Sequence, residues 1–142
     1  SRSATSEFWG FGCLVFRNAG GIGNANQNNA TGAPSLSLTT SQDNSAIVVF
    51  NDDWNASGLS RTWRTVNSIT PTNGNGFETT YYDGSGGPSH TVYGAYYNDA
   101  GTAGSKTVGL SAPTGQQYYI VAVEIKGTVA VVPPMPLMWV GM

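Results

Sequence analysis

Charge is scarce in this chain of 142 residues. Only 10% are Asp, Glu, Lys or Arg, against roughly 25% in ordinary soluble domains. The six basic residues, Arg2, Arg17, Arg61, Arg64, Lys106 and Lys126, are scattered, and the net charge is −2. No basic patch exists to neutralise phosphates, which excludes nucleic acid as a partner. A single cysteine, Cys13, excludes an intrachain disulfide; between Gly12 and Leu14 it reads as a buried thiol. With one histidine, His90, beside that one cysteine, a zinc site lacks its ligands. No Gly-x-Ser-x-Gly elbow accompanies His90, which reads as a polar strand residue rather than a catalytic base. No apolar run approaches the roughly 20 residues of a membrane-spanning helix, so no membrane insertion is expected. The stretch Ser1-Arg2-Ser3 lacks the apolar region of a signal peptide. Apolar residues never recur at spacings of three and four over a helical length, so helices are not expected either.

What the chain has instead is strand signal punctuated by turns. Ala46-Ile47-Val48-Val49-Phe50 is a short β-branched and aromatic run without polar alternation, the mark of a central strand buried on both faces. An acidic corner, Asn51-Asp52-Asp53 with Trp54, follows it, and Asn55-Ala56-Ser57-Gly58 reads as a turn. Arg61 to Val66 alternates like a half-exposed strand. Further strands are expected at Phe8–Phe16, Ser35–Thr40, Phe77–Tyr82, Ser89–Tyr97, Ser105–Ser111 and Gln117–Lys126. In the last, Tyr119, Val121, Val123 and Ile125 read as the core face. Tyr118, Ile120, Ala122 and Glu124 read as the half-covered face, with Glu124 and Lys126 as a solvated ion pair. Arg17 to Pro34, rich in Gly, Asn and Ala, reads as a mobile surface loop. Its Gly20-Gly21-Ile22-Gly23 leads into no helix and so makes no phosphate loop.

Eight or so strands imply an all-β fold, a two-sheet antiparallel β-sandwich of jelly-roll or Ig-like type over residues 1–127. Residues 128–142 form an extended apolar, Pro-rich arm, since prolines at 133, 134 and 136 forbid regular pairing. Three fates of the arm stay open: packing on its own sandwich, docking into a neighbouring subunit, or continuing into a longer chain. Pro133, Pro134, Leu137 and Trp139 are its candidate assembly residues.

Seven tyrosines and four tryptophans are many aromatics for so little charge. They fill sandwich cores, anchor protein interfaces or stack on sugar rings. Trp54, Trp63, Tyr82 and Tyr97 are the candidate contacts for a glycan or a protein partner. Asn51, Asp52, Asp53 and Asn55 offer oxygen ligands for Ca2+, set against the plainer reading as a turn. No cofactor and no catalytic residue is otherwise expected. Asn29-Ala30-Thr31 and Asn55-Ala56-Ser57 match the glycosylation sequon.

The succession Asp43-Asn44-Ser45-Ala46-Ile47-Val48-Val49, Asp53-Trp54-Asn55-Ala56 and Ser60-Arg61-Thr62-Trp63-Arg64-Thr65-Val66 resembles a domain of tailed bacteriophages. So do Tyr93-Gly94-Ala95-Tyr96-Tyr97 and the passage from Val108-Gly109-Leu110 to Ile120-Val121-Ala122-Val123-Glu124. The likeness is to β-sandwich modules of virion proteins of phages infecting actinobacteria, in minor tail and capsid-associated decoration proteins. It spans about residues 10 to 126 and carries no active-site residue. It implies a non-enzymatic structural protein of the virion, partnered by other virion proteins as a homo-oligomer or as a capsid or tail subunit. A carbohydrate-binding adhesion module for host surface glycans is the alternative.

Overall fold

The computed structural model describes residues 14–54, 59–72, 79–83 and 90–128, with backbone alone for 79–83 and 90. The described residues form eight strands and no helix. In order these are β1 (Ala19–Thr31), β2 (Ser35–Thr40), β3 (Ala46–Trp54), β4 (Thr62–Trp63), β5 (Thr79–Asp83), β6 (His90–Tyr97), β7 (Gly104–Ala112) and β8 (Gln117–Gly127). Two antiparallel sheets result, one ordered β1-β8-β3-β6-β5 and the other β2-β7-β4. The pairs β1·β8, β2·β7 and β3·β6 nest inside one another, so the chain rolls up as a folded ribbon. That nesting makes the sandwich a jelly roll rather than an Ig-like sandwich. Its one departure is β5, which pairs with β6 instead of β4.

The core lies between the sheets. β3, β6 and β8 contribute Ile47, Val49, Tyr93, Ala95, Tyr97, Tyr118, Ile120 and Ala122. The three-stranded sheet answers with Leu36, Leu38, Trp63, Val108 and Leu110. The alternating leucines of Ser35–Thr40 do point inward. The central strand is buried on its inner face, whereas on the outer side Val48 is buried at 7% exposure and Ala46, Phe50, Asp52 and Trp54 are half-buried, so burial on both faces holds only in part.

Several sequence expectations are corrected. Asn51 to Trp54 is no corner; β3 runs straight through it. Only Thr62 and Trp63 of the Arg61–Val66 stretch join a sheet, while Val66 bridges Ile69. Leu14 to Phe16 is outside any strand. The supposed loop Arg17–Pro34 is mostly β1, 13 residues long and exposed at every position except half-buried Gly23.

What holds so polar a strand is a row of side-chain amides. Asn24, Asn26 and Asn28 face β2 and donate from Nδ2 to the carbonyls of Thr39, Ser37 and Ser35 at 2.8, 2.8 and 3.1 Å. The amides bridge the gap between the sheets and satisfy the open edge of β2, where a bare row of carbonyls would invite foreign strands. Replacing all three with Ala should lower stability by about 2 kcal/mol, given roughly 0.5–1.5 kcal/mol per hydrogen bond and some exposure to water. Hydrogen exchange by mass spectrometry should show β1 losing protection before any other strand.

Gly109 sets the approach of β7 to the β1–β2 connection. Its φ is +101°, and Leu110 N–H donates to Pro34 O at 2.6 Å beside it. A Cβ at Gly109 would collide with the Pro34 carbonyl and lie 2.9 Å from Ile120 Cδ1. Gly109→Ala should therefore cost about 3 kcal/mol or more, combining left-handed strain with overpacking. A urea titration reads this directly.

Candidate functional site

Because strands alternate, the outer face of the five-stranded sheet is fixed by the same register as the core. One row across it is Asn29, Tyr119, Asp52 and Val92; the next is Gln27, Val121, Phe50 and Gly94. All of these except Gly94 line a groove of about 520 Å³. Tyr119 is 49% exposed and Val121 38%. Trp54 meets Tyr119 edge-on, with ring centroids 6.1 Å apart. Gln27 and Asn29 form a rim of amides, and Asp52 sets a carboxylate beside the Tyr119 ring in the row. Farther along the face Phe16 packs edge-on against Tyr96 at 5.9 Å, so the segment preceding β1 lies over that end. An antiparallel sheet facing water normally alternates apolar-in with polar-out. This one is apolar on both sides over β3 and β8.

Two buried carboxylates sit inside the sandwich. Glu124 is fully buried and accepts hydrogen bonds from Asn24 N–H, Ser41 N–H, Gln42 N–H and the hydroxyls of Ser41 and Ser45, at 2.7–3.1 Å. Burial alone would raise its pKa. The donors, led by Asn24 N–H and the Ser45 hydroxyl, outweigh burial and hold it at about 2. Among the described residues no cation takes part; the cage ties β1, the β2–β3 turn and β8 to one charge. Asp53 is likewise fully buried. Arg61 Nη2 reaches it at 3.1 Å, the Tyr93 hydroxyl donates to it at 3.0 Å, and the guanidinium lies 4.7 Å over the Tyr93 ring. Burial still dominates, and the pKa of Asp53 is raised despite the Arg61 charge. Burial also raises the pKa of Tyr93. Both arrangements fasten the fold, and neither presents a reactive atom to solvent.

Of the candidate contact residues, the structure leaves only Trp54 beside the groove. Trp63 is 4% exposed and packs edge-on against Tyr93 at 5.6 Å, so it offers no face to a ligand. Tyr97 is fully buried and donates its hydroxyl to Arg64 O at 2.9 Å. Tyr82 lies on β5 with only its backbone described, and His90, first in β6, is described no further. Cys13 and the arm residues Pro133, Pro134, Leu137 and Trp139 lie outside the described residues. The Asn51, Asp52, Asp53 set does not converge as calcium ligands would, since β3 sends Asp52 outward and Asp53 into the core; Asn55 is outside the described residues. Among the described residues no cluster of three metal-binding side chains occurs.

Sequence reading missed Tyr119 and Val121, because it put them in the core. The faces of β8 are the reverse of that expectation: Tyr118, Ile120, Ala122 and Glu124 are buried, and Tyr119 and Val121 are exposed. A charged Glu124 argues for solvent, and only the cage of donors explains its burial. Glu124 and Lys126 are accordingly no solvated pair. No family model, curated protein or solved structure matches the chain.

Proposed function

We propose that this chain is a non-enzymatic structural module of a bacteriophage virion, a capsid-decoration or minor tail component that acts through protein–protein contacts. The observation that carries the reading is the outer face of the five-stranded sheet, where Phe50, Val92, Tyr119 and Val121 stand together outside the core. Such a patch is characteristic of an interface, with aromatic residues at its centre and amides at its rim. The low charge of the chain agrees, because a subunit packed among neighbours gains little from charge repulsion. The virion assignment itself rests on the resemblance of the Trp63-Arg64-Thr65-Val66 stretch and its neighbours. The test is add-back: purified chain is mixed with virions stripped of loosely held proteins and sedimented. Rebinding at a fixed stoichiometry is the expected result; a chain that stays in the supernatant refutes the reading.

A second reading, glycan binding, is favoured by one feature of the same groove. The half-exposed Tyr119 ring lies beside the Asp52 carboxylate and the amides of Gln27 and Asn29, the groups that stack on and hydrogen-bond to a sugar. Tyr119 and Trp54 replace Trp63 as the candidate platform. Sedimentation with intact host cells but not with virions would select it.

A further inference from the structure

Among the elements of this sandwich, β1 stands apart energetically. None of its residues belongs to the hydrophobic core cluster, and twelve of its thirteen positions are exposed. What fastens it among the described residues is hydrogen bonding: the ladder to β8, the amides of Asn24, Asn26 and Asn28 to β2, Asn28 Nδ2 to the Tyr118 hydroxyl, and Asn24 N–H to Glu124. The remaining strands keep the whole apolar core without it. If β1 leaves, the β8 edge and the β2 carbonyls become an open slot for an extended strand.

The connection from β1 to β2 is only Gly32-Ala33-Pro34. Gly32 holds a φ of +140°, and the turn is tied by Gly32 N–H to Gln116 O at 2.8 Å and by Leu110 N–H to Pro34 O. Ala33 precedes a proline, which biases it toward extended backbone. A short, tightly bent connection with an intrinsic preference for extension invites opening into a continuous strand. We infer that β1 is an exchange strand: it leaves its own sandwich and fills the slot between β8 and β2 of a second copy of this chain, which returns its own β1. The β1 contacts to β8, β2 and Glu124 are remade between copies with the same partners, so exchange gives up only the ties of the turn and relieves the bend at residues 32–34. This reciprocal swap is a two-fold, self-complementary interface. It builds on the assembly reading and names a partner for it.

The test places a disulfide across the β1·β8 pairing. Gln27 lies opposite Val121, both are exposed, and Gln27 N–H turns to Asn26 Oδ1. Gln27→Cys/Val121→Cys is made in a Cys13→Ser background, which removes the single native cysteine. The protein is incubated at high concentration, oxidised and run on a denaturing gel without reductant. Exchange predicts a covalent dimer that reverts to monomer with reductant; closure within one chain alone overturns it. Hinge variants keep the test open should the thiols fail to pair. Inserting Gly-Ser-Gly-Ser after Gly32 should lower the dimer association constant roughly tenfold or more, and deleting Ala33 should raise it. A monomer–dimer ratio unchanged by both variants overturns the inference. An association that persists while every disulfide closes within one chain overturns exchange and leaves contact through the outer sheet face standing.

Discussion

Glu124→Gln is expected to destabilise the fold by about 3 kcal/mol at neutral pH, and the loss is expected to disappear in acid. The carboxylate accepts from three backbone N–H groups and two hydroxyls. A glutamine keeps one acceptor oxygen and turns an amide NH2 toward backbone N–H groups that have no lone pair to offer, which leaves buried groups unsatisfied. The sign of the pH effect follows from the folded-state pKa of about 2, below the ordinary 4.5. A lowered pKa means that the ionised carboxylate favours the folded state. Its contribution is fully present above about pH 4.5 and is lost as the pH falls toward 2. At about 1.36 kcal/mol per pKa unit, the shift corresponds to about 3 kcal/mol. For a chain of this length that is a fall on the order of 10 °C in Tm. Urea titrations of wild type and variant between pH 2 and 7 check this. Two stability curves that converge in acid support the cage, whereas a constant gap would assign Glu124 a packing role alone.

Arg61→Ala is expected to cost about 3–5 kcal/mol, because it strands the buried Asp53 with the Tyr93 hydroxyl and no cation. The double variant Asp53→Asn/Arg61→Leu should cost less than Arg61→Ala alone, since it removes the unpaired charge together with its partner. A double-mutant cycle in urea measures that non-additivity directly. The pH dependence runs opposite to that of Glu124. Burial already raises the pKa of Asp53, and loss of Arg61 raises it further. A raised carboxylate pKa favours the protonated folded state, so Arg61→Ala should lose stability as the pH rises through the acid range toward neutrality. Equal effects of the single and double variants would show that the pair fills space and nothing more.

Most strands are legible in the sequence because their apolar residues alternate or run together, as Leu36 and Leu38 in β2 and Ile47 to Val49 in β3 do. β1 escapes for a physical reason. Gly and Asn have low strand propensity, and β1 is held by backbone pairing and amides that reach another sheet, neither of which leaves a periodic apolar trace. The faces of β8 are misread because both are apolar, leaving Glu124 as the deciding residue. Its burial depends on donors at positions 24, 41, 42 and 45, up to 100 residues away in sequence. The inversion carries its own information. The side that sequence reading takes for core, Tyr119 and Val121, is the side that faces out. Trp63 shows the converse: an aromatic residue read as a ligand platform is packed against Tyr93 in the core.

The measurement that bears most directly on this account is add-back of the Tyr119→Lys/Val121→Lys variant to stripped virions, beside the wild-type chain. Both positions lie outside the core cluster, so circular dichroism and Tm should show the variant folded, with stability changed by no more than about 1 kcal/mol. Wild type is expected to sediment with the particles and the folded variant to stay in the supernatant. Equal sedimentation of both would contradict a contact made by the outer face of the five-stranded sheet.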